Sequence, residues 1–232
     1  MTKSQDIVKR LFDFTVTSFG LIAISPILIL IAGVIKISTK GPVFYSQTRI
    51  GKNRKEFQMI KFRSMVPEAD KMGPLVTARH DNRITTIGKL LRRTKFDELP
   101  ELINVIKGDL SLVGPRPEVT LYTNYHKHQW ERVLSVKPGI TDLATLQFRD
   151  EETVLEFASD REQAYIDVVL PIKLQLACEY VEKWSFWLDI KILILTVWAI
   201  TFGRIFAKPN RNLAESTTEK VRNHKQRSKD LE

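Results

Sequence analysis

FTVTSFGLIAISPILILIAGVI, residues 14–35, is a run of twenty-two residues without a charge, and its reading decides what the rest of the chain can build. At about 1.5 Å per residue, a helix of this length reaches across a bilayer core of ~30 Å. Ser25-Pro26 falls near the middle, where proline removes a backbone donor and bends a helix. In lipid the freed carbonyl needs another partner, and the Ser25 hydroxyl is placed to supply one. Lys3, Lys9 and Arg10 precede the run, while Lys36, Lys40, Arg49, Lys52, Arg54 and Lys55 follow it. Positive charge at both ends assigns no orientation to a single crossing but suits a hairpin whose two ends are cytoplasmic. A spanning helix kinked at Pro26 and a re-entrant helix-break-helix both fit this pattern. The basic IKISTKGPVF that follows is a poor match to a signal-peptide cleavage site.

Outward from this run, GPVFYSQTRIGKNRKEFQMIKFRSM at 41–65 reads as two β segments around a basic GKNRK turn. The polar stretch VPEADKMGPLVTARHDN is a loop or short helix. ITTIGKLLRR places Ile84, Ile87 and Leu91 on one helical face. FDELPELINVIKG places Leu99, Leu102, Ile103 and Ile106 on another, stopping at Gly108. DLSLVGPRPE is an extended piece entering a proline-fixed turn, with a further strand after Pro138-Gly139. An amphipathic helix is predicted from about Val154 to Val169, and Pro171 reads as a first-turn residue of the next helix. WSFWLDIKILILTVWAITFGRIF follows, with Ser185 as a cap. Its charge-free run from Ile192 to Gly203 is only twelve residues, short for a span. An interfacial helix, with Trp184, Trp187 and Trp198 at the membrane surface, and a buried core helix are both open for this segment. The sequence thus divides into a membrane anchor (1–40), a catalytic-size domain (41–205) and a basic tail (206–232) without apolar periodicity, read as disordered.

Composition narrows the classes. The chain has 232 residues, 43% hydrophobic, enough for one packed domain with attachments and too many for a disordered chain. Thirty-six Lys and Arg against twenty-seven Asp and Glu give a net charge of +9, which favours an anionic partner. The single cysteine, Cys178, excludes an internal disulfide framework and a cysteine-based zinc cluster. Neither a Walker loop nor a GxGxxG motif is present.

The stretch richest in chemistry is Arg92-Arg93-Thr94-Lys95-Phe96-Asp97-Glu98-Leu99-Pro100. Proline is tolerated in a helix only within its first turn, so the helix must start close to Asp97. That sets Asp97 and Glu98 at the positive end of a helix dipole, with three cationic side chains just upstream. The field there favours ionised carboxylates and attracts anions. One such carboxylate can act as a nucleophile while its neighbour binds a divalent cation; ordinary first-turn capping is the competing account. Arg116, between Pro115 and Pro117, is presented with little freedom and suits bidentate capture of phosphate, although a solvated turn arginine would look the same locally. Arg49, Lys61 and Arg63 lie on the strand pair, where Lys61 and Arg63 share a face opposite Ile60 and Phe62. They line a phosphate site or simply form a wet sheet face.

Together, KRLFDF at 9–14, the Ser25-Pro26 break, GPVFYSQTRIGKNRKEFQMIKFRSM, ITTIGKLLRRTKFDELPELINVIKGDLSLVGPRPE and VKPGITDL resemble the bacterial sugar transferases that act as small monotopic polyprenyl-phosphate phosphoglycosyl transferases. The resemblance runs over about residues 8–205. It implies an α+β fold: a re-entrant N-terminal membrane hairpin, a mostly helical domain with a small β element, and interfacial amphipathic helices. The implied reaction moves a sugar-1-phosphate from a UDP-sugar to polyprenyl (undecaprenyl) phosphate with release of UMP, the first membrane step of a surface glycan pathway. Asp97 is then the nucleophile that forms a covalent phosphosugar intermediate, and Glu98 is its partner in holding Mg²⁺. Arg116 and the basic residues around the dyad, Arg92 among them, are expected to carry phosphate oxygens, with Lys61, Arg63, Arg49 and Arg149 as further substrate contacts. The implied setting is the cytoplasmic face of a bacterial inner membrane, on anionic lipid, feeding downstream glycosyltransferases and not nucleic acid.

One stretch departs from the family. After PGIT many members carry a Gly-Trp-Ala-Gln-like run ending in Asn-Gly-Arg; this chain reads Asp142-Leu143-Ala144-Thr145-Leu146-Gln147-Phe148-Arg149, with only the arginine retained. The sugar is therefore open. A membrane-tethered basic binding protein or a polysaccharide-assembly protein is the alternative, and either leaves FDELP and GPRPE without a purpose.

Overall fold

The structure, a computed structural model, describes residues 2–74, 76–77, 81–147, 154–155, 157–158, 160–201 and 216–221. The apolar run lies in α1 (Lys3–Ser38), a 36-residue helix opened by a capping box between Thr2 and Gln5. The helix continues through Pro26. The missing proline N–H leaves the carbonyl of Ile22, four residues back, without its usual partner, and the Ser25 hydroxyl donates to that oxygen at 2.8 Å. The residue before the proline thus supplies the lost bond, and helical hydrogen bonding runs on through Ser25-Pro26.

The two ends of α1 rest on the same domain. Near its start, Lys9 pairs with buried Asp189, Arg10 donates to the carbonyls of Val105 and Ile106, and Asp13 accepts from the Ser111 hydroxyl at 2.7 Å. Near its end, Ile35 is buried against Phe62 and Leu91, with Leu28, Ile31 and Ala32 packed beside them. Between these contacts Phe19, Ile22 and Ile27 are exposed.

Strands β1 (Phe44–Ile50) and β2 (Glu56–Phe62) form an antiparallel hairpin with Phe44 opposite Phe62 and Ile50 opposite Glu56. The basic turn closes it with Asn53 and Arg54 at positive φ. Helices α2 (Thr86–Thr94) and α3 (Glu101–Lys107) follow, separated by a short 3₁₀ turn, Phe96–Glu98. On α2 the predicted face is buried: Ile84 and Leu91 lie inside and Ile87 packs beside them. On α3 the prediction misses the register, since Glu101, Asn104 and Val105 face inward. The reason is polar. The Asn104 side chain accepts from Ile60 N–H at 3.0 Å and donates to the Gln58 carbonyl at 2.7 Å, so α3 turns this face to the β2 backbone. Gly108 ends α3 at φ 90, as the sequence anticipates.

Strand β3 (Ser111–Val113) pairs in parallel with β4 (Gly139–Thr141), with α4 (Thr120–Thr123) and α5 (Lys127–Val133) between them. A Cβ at Gly114 would sit 2.5 Å from the Lys137 carbonyl, and one at Gly139 would strike the Gly114 backbone. These glycines are what let Pro115–Pro117 lie against β4.

After α6 (Leu143–Gln147), the predicted 154–169 helix is interrupted: residues 154–155 and 161–169 are helical, while 157, 158 and 160 are not. Asp160 caps α7 (Arg161–Ala164), which runs through a π turn at Tyr165–Val169 into α8 (Leu170–Lys183). Pro171 lies in the first turn of α8, as the sequence anticipates, and the π turn just before it leads the chain in without a break. Ser185 caps α9 (Phe186–Thr201), accepting from Leu188 N–H at 3.1 Å. One side of α9 buries Asp189 and Ile192 while Trp187, Ile194 and Val197 remain exposed. The tail is not wholly without structure: residues 216–221 are helical, and Val221 is buried in the main cluster with Trp130, Leu155, Val169 and Leu174.

Candidate active site

The path to the site starts at Lys95. Its left-handed backbone (φ 61) ends α2, with its N–H returned to the carbonyls of Leu91 and Arg92, and opens the 3₁₀ turn that carries Asp97 and Glu98. Leu99 N–H bonds the Phe96 carbonyl, Leu102 that of Leu99 and Ile103 that of Pro100, so the turn flows into α3 with Pro100 in the opening turns. The sequence placed the helix start close to Asp97 on the same argument.

The two adjacent carboxylates meet different surroundings. Glu98 is held by two cations: the Lys61 ammonium at 2.9 Å and the Arg116 guanidinium, which reaches both of its oxygens. Burial alone would raise its pKa, but Arg116, Lys61 and Lys95 together hold it well below the usual carboxylate range. Asp97 is also buried, and one of its oxygens, Oδ1, has no hydrogen-bond partner. Burial and then the charge of Glu98 push its pKa up, against the opposing pull of Lys61, Arg92 and Lys95. The expectation that the helix-terminal field favours ionised carboxylates is met at Glu98, whereas at Asp97 burial works against it. The cations are spent on Glu98, and Asp97 is left a basic carboxylate with an unsatisfied oxygen. Such splitting of neighbouring acids is the usual way an environment assigns them separate roles.

Glu101, which the sequence reading passed over, is a third acid here. It is 1% exposed and shares Lys61 with Glu98, at 3.1 Å. Burial, with the charge of Glu98, raises its pKa. Its signal was its spacing, three residues after Glu98 and hence on the same face. Asp142 was also missed as a site residue: it accepts from the Arg116 backbone N–H at 3.2 Å and from Thr145 N–H at 2.6 Å, tying the arginine to the start of α6.

The remaining predicted residues are dispersed. Lys61 and Arg116 converge on the dyad. Arg92 lies within electrostatic reach of Asp97. Arg63 points the other way, donating to the carbonyls of Lys40 at 2.7 Å and Thr39 at 3.1 Å, where it secures the chain leaving α1. Arg49 donates to Gln47, Pro117 and Glu118. Arg149 lies outside the described residues. Among the described residues no group of three or more His, Cys, Asp and Glu side chains is arranged to cage a metal ion. Magnesium does not require one, since it commonly binds through one or two carboxylates with water and substrate phosphates filling the other positions. The unpartnered Asp97 oxygen beside Glu98 fits that requirement.

The site thus comprises a seven-residue helix preceded by an acid pair and an arginine held between two prolines, in a domain that carries an exposed apolar N-terminal helix. The comparison with known proteins assigns its class: the pattern described as bacterial sugar transferase matches residues 4–203, and the chain belongs to that family. Among similar proteins, an uncharacterized sugar transferase, EpsL, of Bacillus subtilis is 39% identical over 212 residues, covering 91% of this chain and 96% of that protein. The UDP-glucose:undecaprenyl-phosphate glucose-1-phosphate transferase of Escherichia coli is 39% identical over 196 residues, covering 82% of this chain but 39% of its own length. The UDP-N-acetylgalactosamine-undecaprenyl-phosphate N-acetylgalactosaminephosphotransferase of Aeromonas hydrophila is 32% identical over 203 residues, 84% of this chain and 44% of that protein. The chain thus spans nearly all of the Bacillus relative and less than half of the other two.

Proposed function

We propose that this protein transfers a sugar-1-phosphate from a UDP-sugar to undecaprenyl phosphate. The observation that carries this reading is the split acid pair: buried Asp97 with a free oxygen, beside Glu98 clamped by Arg116 and Lys61. The names of the relatives from Escherichia coli and Aeromonas hydrophila support the substrate classes.

The chemistry runs in two displacements. An Asp97 carboxylate oxygen attacks the phosphorus that bears the sugar, the bond from that phosphorus to the bridging oxygen breaks, and UMP departs with that oxygen. A phosphate oxygen of undecaprenyl phosphate then attacks the same phosphorus, the aspartyl–phosphorus bond breaks, and the carboxylate is restored. Burial raises the basicity of Asp97 and so its strength as a nucleophile, while Arg116 and Lys61 offset charge on the diphosphate. Asp97 and Glu98 would hold Mg²⁺, which supplies further charge neutralisation on the diphosphate when bound.

The same reading sets the protein on the cytoplasmic face of the inner membrane, with α1 re-entrant, anionic lipid beneath the basic surface and downstream glycosyltransferases as recipients of the product. Support comes from the ends of α1, both of which rest on one domain. Only residues 18–27 are left between the two contact regions, about 15 Å of helix and half of a ~30 Å hydrocarbon core. The test is UMP release by purified protein with undecaprenyl phosphate, Mg²⁺ and a panel of UDP-sugars. Release with one sugar, abolished by chelation, is the expected result; silence across the panel, with a related enzyme active as control, would count against the activity.

A further inference from the structure

Glu118 is buried two residues beyond Arg116, and three side chains from three segments converge on it. Arg49 of β1 donates to its Oε2 at 3.2 Å and, with the same nitrogen, to the Pro117 carbonyl at 3.1 Å. Tyr165 in the π turn donates to its Oε1, and Lys173 of α8 approaches that oxygen at 3.5 Å and the Tyr165 hydroxyl at 3.0 Å. Its backbone carbonyl accepts from Ile50 N–H at 2.9 Å. One carboxylate thus pins the second proline of Pro115-Arg116-Pro117 to the hairpin on one side and to the C-terminal helices on the other. None of the hydrogen bonds described for the cluster ends on Asp97 or Glu98; its tie to them is Arg116, whose guanidinium reaches Glu98 and whose N–H is held by Asp142. Arg49, first read as a substrate contact, is accounted for within this cluster.

We infer that Glu118 is a positioning residue for Arg116, and that Arg49, Tyr165 and Lys173 set the aim of that arginine through it. The kinetic part of this inference rests on the phosphosugar-transfer reading; the structural part does not. A neutral amide at 118 leaves the Arg49 and Lys173 charges buried without their carboxylate, so the loop loosens where the arginine is presented. Misplacing a charge-bearing group by about an ångström costs on the order of 10²-fold in rate.

The test is a double-mutant cycle of Glu118→Gln with Arg116→Lys, read as kcat/KM for UMP release, together with amide hydrogen exchange of the membrane-reconstituted protein. Glu118→Gln should lower kcat/KM by about 10²-fold alone but by less than about threefold on the Arg116→Lys background. Exchange should quicken at 113–119 and 44–50 while α3 and α8 keep their protection. Tyr165→Phe, which removes one donor and leaves the packing, should give the same pattern more weakly. Equal fold losses on both backgrounds would overturn the inference, as would exchange that quickens uniformly through the main core. If the wild-type protein turns over no UDP-sugar, the function reading fails and the exchange pattern alone decides the inference.

Discussion

The middle of α1 and the inner face of α3 invert the usual partition of residues. Phe19 and Ile22 of α1 are 72% and 73% exposed, while Glu101 and Asn104 of α3 are 1% and 0% exposed. In a water-soluble domain large apolar side chains are sorted inward and charged ones outward. Here the apolar stretch is long enough to enter a bilayer, and the polar face is buried where it has partners: Asn104 satisfies β2, and Glu101 shares the lysine that restrains Glu98. The difference shows that burial in this molecule follows specific polar partners and not hydrophobicity alone.

The largest expected effect is on the site side of that comparison. Asp97→Asn should abolish transfer while the protein stays folded and membrane-bound, and its melting temperature should hold or rise, because a buried carboxylate without a full set of partners is exchanged for a neutral amide. A variant that keeps normal turnover would remove the proposed nucleophile. Next comes Asn104→Ala, which leaves the Ile60 N–H and Gln58 carbonyl unpaired; a loss of ~2–4 kcal/mol by denaturant titration is expected, two buried groups at ~1–3 kcal/mol each with some relaxation. A loss below ~0.5 kcal/mol would mean that polar burial on α3 does not hold the hairpin. On the membrane side, Ser25→Ala strips the Ile22 carbonyl of its replacement donor and should cost ~1 kcal/mol, read as increased protease access near residue 25 in vesicles.

The smallest effect is a pH shift. Attack requires ionised Asp97, and its pKa is raised, so kcat/KM should climb with pH through a value above the ordinary aspartate range before levelling. Because Lys61 lowers the Asp97 pKa, Lys61→Met should move that limb to higher pH; a limb that stays in place would show that the lysine does not act on Asp97.

Much of this was legible in the chain. The hairpin, the α2 face, the Gly108 stop and the Ser185 cap follow from local rules of turns, periodicity and capping. What escaped were decisions made by tertiary contacts. The α3 register turned on Asn104, whose partners are backbone groups some forty-five positions away and invisible to helical periodicity. The opposite pKa shifts of Asp97 and Glu98 depend on where Arg116 reaches, which no spacing encodes. Arg63 alternates correctly with Phe62 yet serves the exit of α1, since side-chain direction on a strand does not name the partner.

The proposed two-step transfer turns on a covalent bond at Asp97. The direct measurement is intact-mass and peptide mass spectrometry of the protein incubated with its UDP-sugar in the absence of undecaprenyl phosphate. The expected result is a mass increase of one sugar phosphate on the peptide containing Asp97, with a stoichiometric burst of UMP and loss of the adduct when undecaprenyl phosphate is added. UMP formed only when donor and acceptor are both present, with no adduct at any time, would contradict it and point to direct transfer between the two substrates.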